Sequence, residues 1–249
     1  MMPIGVIVNS LSVLVGGLIG GVLGEKIPER LRLALPLTFG VASMGMGITY
    51  IVKMKVLPAV ILALILGSAI GELIRLEDII GRCAEKAKGP IERLFSSKKS
   101  SAKEEIAVSS ESQSAFMEKF VGILILFSAS GTGIFGALNE GMTGDHSILI
   151  AKSVLDFFTA IIFSASLGYL VGFIFIPQII ILLSLFFGAA FILPMTTPGL
   201  IADFTACGGI IMLATGFRIS GIKAFKVANM IPALILVMPI SYLWTTFIS

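Results

Sequence analysis

Apolar residues run along this chain in blocks close to 20 long, separated by short polar interruptions. A helix needs about 20 such residues to cross roughly 30 Å of hydrocarbon. The pattern therefore predicts an all-α, polytopic transmembrane helical bundle of about eight spans, at 4–24, 34–52, 56–75, 118–138, 148–176, 178–194, 202–217 and 228–248. The seventh block is the shortest, short enough for a re-entrant segment instead of a crossing. The first block, Ile4–Leu23, has the full length of a span and no basic region before it. It is expected to be a membrane helix and not a cleaved signal.

Between the third and fourth blocks the pattern changes twice. ELIRLEDIIGRCAEKAKGPIERLF sets Leu73, Leu76, Ile80 and Ala84 on one helical face with charges opposite. It predicts a helix that extends the third span, lying at the lipid surface. SSKKSSAKEEIAVSSESQS has no aromatic residue. Such a segment buries too little to offset its chain entropy and predicts a disordered linker. Three regions follow: 1–95, a first membrane repeat with its helical extension; 96–116, the linker; and 117–249, a second membrane repeat plus two C-terminal spans.

The two membrane regions resemble each other. VGGLIGGVLGE, ending at Glu25, matches GTGIFGALNE, ending at Glu140; 35–50 matches 155–170, and 57–71 matches 176–192, in the same order. With an odd number of spans before the linker, these halves would form an inverted three-helix repeat. A competing match pairs 36–71 with 204–241.

Composition supports the membrane assignment: 56% of residues are hydrophobic and 13% charged, against about 25% charged in soluble domains. Mean hydropathy is +1.03. Segment 72–119 holds nine Lys/Arg and nine Asp/Glu, 18 of the 33 charged residues. Because acids and bases interleave there, no nucleic-acid partner is expected. Charge placement predicts orientation. Lys26, Arg30, Arg32, the nine bases of 72–119, Arg218, Lys223 and Lys226 fall on one side, fifteen in all; Lys53 and Lys55 fall on the other. The positive-inside rule puts the fifteen in the cytoplasm and both termini outside. In a bacterium that means the inner membrane with periplasmic termini.

Cys83 and Cys207 are expected to be free thiols, and His146 is the lone histidine. Without clustered Cys or His, neither zinc nor any other cofactor is expected. Enzyme templates fail: the sequence has no GxSxG, HExxH or P-loop. The expectation is a protein that is not an enzyme.

Candidate chemistry centres on SASGTGIFGALNEGMTGD, Ser128–Asp145, with glycines at 131, 133, 136, 141 and 144. Gly-interrupted helices in two halves are a pointer to transporter sites. Glycine lets the chain leave helical geometry, and freed backbone groups in hydrocarbon must be satisfied by protein, water or an ion. The reading is a helix that unwinds beside a polar cavity lined by Ser130, Thr132, Asn139 and Glu140, matched by a second break at 15–24. Close packing followed by an ordinary outer loop is the structural alternative. In ILIAKSVLDFFTAIIF, Lys152 and Asp156 are four apart and share a helix face. Counting from Ile148, Asp156 lies roughly 12 Å deep, where a charge costs about 2.5–3.5 kcal/mol. It must meet a partner or water, as an ion or proton site with Lys152 as counter-charge or as a pair that fixes register. Asp203, after MTTPGLIAD, is a further site candidate, although capping of its own helix explains it as well. Asn9 has no assigned role. GxxxG pairs at Gly16/Gly20, Gly17/Gly21, Gly20/Gly24, Gly67/Gly71 and Gly168/Gly172 allow close helix approach, within the chain or between copies in a homo-oligomer.

SASGTGIFGALNEGMTGD followed by SILIAKSVLDFFTA closely resembles a bacterial family of inner-membrane proteins, domain of unknown function 554, the YqgA-like proteins. The resemblance extends through NSLSVLVGGLIG, LPMTTPGLIADF, LATGFRI and NMIPALILVMPI, nearly the whole chain apart from 96–115. It implies a polytopic membrane protein and supplies neither substrate nor functional residues. The residues themselves lead to a transporter or permease for a small solute or ion, embedded in lipid, near Lys152 and Asp156. The alternatives are an oligomeric ion channel and a non-transporting scaffold.

Overall fold

The computed structural model describes residues 2–23, 26–83, 120, 123–124, 126–128 and 130–248. The first region forms α1 (Ile4–Leu23), α2 (Glu29–Ile51) and α3 (Leu57–Leu73). A further helix, α4 (Leu76–Cys83), leaves α3 at 51°. The turn between them holds Arg75 at a φ of 52°. The predicted extension is thus present as a bent segment; Ala84 and the predicted linker lie outside the described residues.

In the second region the described residues between 120 and 128 are helical. They are followed by α5 (Gly131–Thr143), α6 (Ser147–Leu167), α7 (Leu170–Phe173), α8 (Phe175–Ile192), α9 (Pro198–Ile219), α10 (Val227–Met230) and α11 (Pro232–Phe247). Among the described residues six helical stretches are long and apolar enough to cross a membrane, or seven if α3 and α4 are taken as one bent span. The predicted crossing at 118–138 falls partly outside the described residues.

Two predicted boundaries are corrected. The block at 202–217 is not short: α9 runs 22 residues from Pro198 and is the most enclosed of the spans. Pro198 begins this helix instead of breaking it. Proline suits the first helical position because it has no amide to leave unpaired, and the Thr197 hydroxyl accepts from the Leu200 amide at 3.3 Å. The block at 148–176 ends early, because Gly168 adopts φ +67°, a conformation open to glycine at little cost.

Helices of the first region find their main neighbours in the second. α1 lies along α6, α2 along α9, and α3 along α11, whereas α1, α2 and α3 have little contact with one another. Glycines set these contacts. A Cβ on Gly16 or Gly20 would strike the Phe157 or Ile161 carbonyl of α6; one on Gly67 or Gly71 would strike the backbone of Ala233 or Asn229. These matches run α1 parallel to α6 and α3 antiparallel to α11. Gly40 and Gly47 of α2 meet Gly216 and Gly209 of α9, also antiparallel. The GxxxG faces at 16–21, 67–71 and 172 are therefore occupied inside the chain and not free for a second copy. Segment 15–23, expected to break, is continuous helix. Its glycines serve backbone approach, and nothing in α1 unwinds.

Candidate functional site

Two ends of the bundle can be told apart. Gly5 meets His146, Tyr50 hydrogen-bonds Ser147 at 3.3 Å, and Asp203 joins Lys55 to Ser241. That end carries the start of α1 and the outer part of α11. The opposite end is basic. There Arg218 pairs with Glu77 at 2.8 Å and Lys226 with Glu72 at 2.9 Å, while Asn229 bridges the Glu77 amide and the Glu72 carboxylate. The hydrogen bond from Lys226 to Glu72, with the charge of Glu72, holds the lysine above its ordinary pKa.

The described residues from Phe120 to Thr143 run from the basic end toward the termini, and among them Ser130 is not helical. Phe120, Ile123, Leu124 and Phe127 pack with Leu167, Val171 and Ile174. Ser130 is extended (φ −70°, ψ 140°), and its hydroxyl accepts from the Gly133 amide at 3.1 Å, starting α5. Between Gly131 and Thr143 the helix is continuous. The glycines that follow lie inside α5, where Gly136 abuts Leu149 and Gly141 abuts the Phe186 carbonyl. A half-helix thus begins inside the bundle, with amides that have no acceptor in their own helix.

Facing that start are Lys152 and Asp156 of α6, both buried. The Lys152 ammonium donates to Asp156 Oδ2, and the Lys152 side chain passes beside Gly133. Asp156 Oδ2 also accepts from Asn9 Nδ2 of α1 at 2.8 Å; Asn9 Oδ1 in turn accepts from Gln178 Nε2 of α8 at 2.8 Å. Four polar side chains from three helices form one connected network in apolar surroundings. Sequence reasoning left Asn9 without a role and passed over Gln178. The available signal was a carboxamide within each of two otherwise apolar spans.

A cavity of about 530 Å³ adjoins this network. Ser130, Thr132, Lys152 and Asp156 line it together, with Phe39 and Ser43 of α2, Thr215 and Arg218 of α9, and Phe127 before the break. Along α6 its wall runs from Lys152 to Leu167, a distance of ~22 Å at 1.5 Å per residue. Arg218, 39% exposed, stands at the basic end. Toward the other end Phe135 is fully buried between Tyr50, 6.0 Å away, and Phe204, 5.5 Å away. The cavity is thus deep, and its described lining stops at Thr132 and Lys152, short of these rings.

The remaining candidates lie elsewhere. Glu140 turns to α1, whose first amides it caps: Gly5 N–H donates at 2.7 Å and Val6 N–H at 3.1 Å. A carboxylate at a helix N-terminus satisfies orphan donors and opposes the helix dipole. Asp203 lies within its own helix and anchors the turn that leads into α3, accepting from the Lys55 and Val56 amides at 2.7 and 2.9 Å and from the Ser241 hydroxyl. Asn139 holds the turn after α5 through the Asp145 carbonyl at 3.4 Å. In that turn burial works to raise Asp145. Hydrogen bonds from Ser147 and the charges of Lys53 and His146 outweigh it and hold the carboxyl below the usual range. Among the described residues no group of His, Cys, Asp and Glu is placed to hold a metal.

Comparison with known proteins agrees with the architecture. The family model described as "Protein of unknown function (DUF554)" matches residues 4–242. The chain is 50% identical over 248 residues to an uncharacterized protein of Escherichia coli (strain K12), YqgA, covering all of both chains. It is 25% identical over 240 residues to an uncharacterized membrane protein of Bacillus subtilis (strain 168), YdfK, covering 93% of each. No solved structure matches.

Proposed function

The chain belongs to the DUF554 family of membrane proteins of unknown function, and from that premise we propose that it is a transporter or permease for a small solute or ion. The observation that carries the reading is the buried Lys152–Asp156 pair at the inner end of the cavity, where a half-helix begins. Ionisable groups inside a membrane bundle mark substrate or ion pathways by default, and discontinuous helices with exposed ends are how many transporters build their sites.

The cavity supports a transporter more than an open pore. Its described lining reaches Arg218 at the basic end and stops at Thr132 and Lys152 toward the other, short of the packed rings of Tyr50, Phe135 and Phe204. A site reached from one side at a time is the arrangement alternating access requires. The fifteen-to-two distribution of bases supports a cytoplasmic basic end and periplasmic termini in the inner membrane. The predicted inverted repeat fits this reading, since the 120–143 segment crosses opposite to α1.

The test is flux. Purified protein in liposomes is exposed to a uniformly carbon-13-labelled small-molecule extract, and the species that enter are identified by mass spectrometry. At least one species is expected to accumulate over empty liposomes and over Asp156→Asn. Equal uptake in all three preparations would reduce the protein to a scaffold.

A further inference from the structure

We propose that the inner end of the cavity is an anion site for the carboxylate of a short-chain organic acid, held by the first amides of α5, the Thr132 hydroxyl and Lys152. The inference deepens the transport reading, from which it takes that the cavity is a substrate site.

Three independent features converge there. α5 is 13 residues long, and its first turn opens on the cavity at Ser130, Gly131 and Thr132. A helix start carries about half a positive charge and amides that need acceptors. Thr132, 4% exposed, is a cavity wall residue whose hydroxyl has no hydrogen-bond partner among the described residues. A buried hydroxyl left unpaired is costly and calls for an explanation. Lys152 has three N–H donors, and among the described residues only Asp156 accepts one.

The charges favour an anion over a cation. Asp156 is the lone carboxylate among the described lining residues, and its Oδ2 already receives Lys152 and Asn9. A cation would arrive beside an ammonium and a helix start, both positive. An anion would find those two uncompensated beyond the single charge of Asp156. Glu140 and Asp203 hold backbone amides elsewhere and do not line the cavity.

The walls define the rest of the ligand. Phe39, Leu155, Phe163, Leu167 and Ile219 give the cavity an apolar body, and its volume of about 530 Å³ lies in the range of small-molecule sites. One carboxylate with a short apolar body matches the charged inner end, since Arg218 at the other end is already paired with Glu77.

Hexanoate, hexylammonium and hexanol serve as anionic, cationic and neutral probes of one size, read by the melting midpoint of the full chain in detergent. Hexanoate alone is expected to raise the midpoint, saturably, and its affinity should exceed that of hexadecanoate, which outgrows the cavity. Thr132→Val should weaken hexanoate at least tenfold yet melt no lower than wild type without ligand, since it removes an unpaired buried hydroxyl. Lys152→Met combined with Asp156→Asn, which keeps the site neutral, should abolish the hexanoate shift. Four results overturn the anion site: an equal shift with hexylammonium or hexanol, affinity that keeps rising with chain length, no shift with any probe, or undiminished hexanoate binding by Thr132→Val. The two readings fail separately. Cationic or neutral species entering liposomes would sink the anion site and leave transport standing; specific hexanoate binding without flux would do the reverse.

Discussion

Asn9 and Asp156 stand 147 positions apart in the chain and 2.8 Å apart in the bundle. The bond joins the first helix to α6 at the charged end of the cavity. With Gln178 behind it, Asn9 presents its amide to the carboxylate in a fixed direction. Asn9→Leu removes a donor from Asp156 and the acceptor of Gln178. A buried polar group stripped of its partner costs about 1–3 kcal/mol, so a clear fall in melting midpoint in detergent is expected, with a smaller fall for Gln178→Leu. No change in either variant would mean that water replaces the network freely.

Lys152 and Asp156 should behave as a unit. Removing one partner of a buried ion pair costs about 3–5 kcal/mol, because the other charge remains. Lys152→Met and Asp156→Asn are each expected to destabilise strongly, and the double variant to recover most of the loss while remaining inactive in flux. A double-mutant cycle of thermal midpoints measures the coupling; additive single effects would show that solvent already screens the pair.

Glu140 and Asp203 should separate stability from binding. Glu140 caps α1 and Asp203 holds the two amides before α3; loss of a cap costs about 0.5–2 kcal/mol, and loss of a buried hydrogen-bond acceptor about 1–3 kcal/mol. Glu140→Ala and Asp203→Ala are expected to lower the unfolding midpoint by that order while leaving hexanoate affinity of the folded protein within twofold.

Close approach predicts a contrast between glycines. Gly20→Leu drives a side chain into the Ile161 backbone of α6, whereas Gly45 faces open space. Gly20→Leu should abolish recovery of monodisperse protein in gel filtration. Gly45→Ala should be recovered at wild-type yield and melt slightly higher, since alanine favours helix by about 0.8–1.0 kcal/mol.

At the basic end the raised lysine gives a pH dependence with a definite sign. Its hydrogen bond to Glu72 holds Lys226 above its ordinary value of 10.5. A group raised in the folded state contributes fully below its unfolded pKa and loses the contribution as pH rises through the folded value. The midpoint difference between wild type and Lys226→Met should therefore be present at pH 8 and shrink above pH 10.5. Added salt should shrink it too, because the pair is exposed.

The sequence reveals local relations better than distant ones. Lys152 and Asp156 are legible because four residues of helix bring them together, and span length is legible because hydrocarbon thickness dictates it. The start of α5 is legible as Ser130 before glycines, but the glycine run was read too widely as unwound backbone. Glycine in a membrane helix serves breaks and close packing alike, and only the neighbouring chain decides which. Glu140 and Asp203 were beyond reach for a related reason. Each is an acid in or just beside a predicted span, and their amide partners lie 135 and 148 positions away. Gln178 was hidden by its uncharged side chain in an otherwise apolar run.

Because α1, α2 and α3 each lie along a helix from beyond residue 146, assembly during synthesis has an imposed order. The first three helices leave the ribosome before their permanent neighbours exist, and the glycine face of α1 must wait in lipid until α6 is inserted. A gene divided within the charged stretch between residues 84 and 119 would yield two fragments, neither able to close its interior alone. Produced together, they carry the complementary surfaces needed to find each other in the membrane.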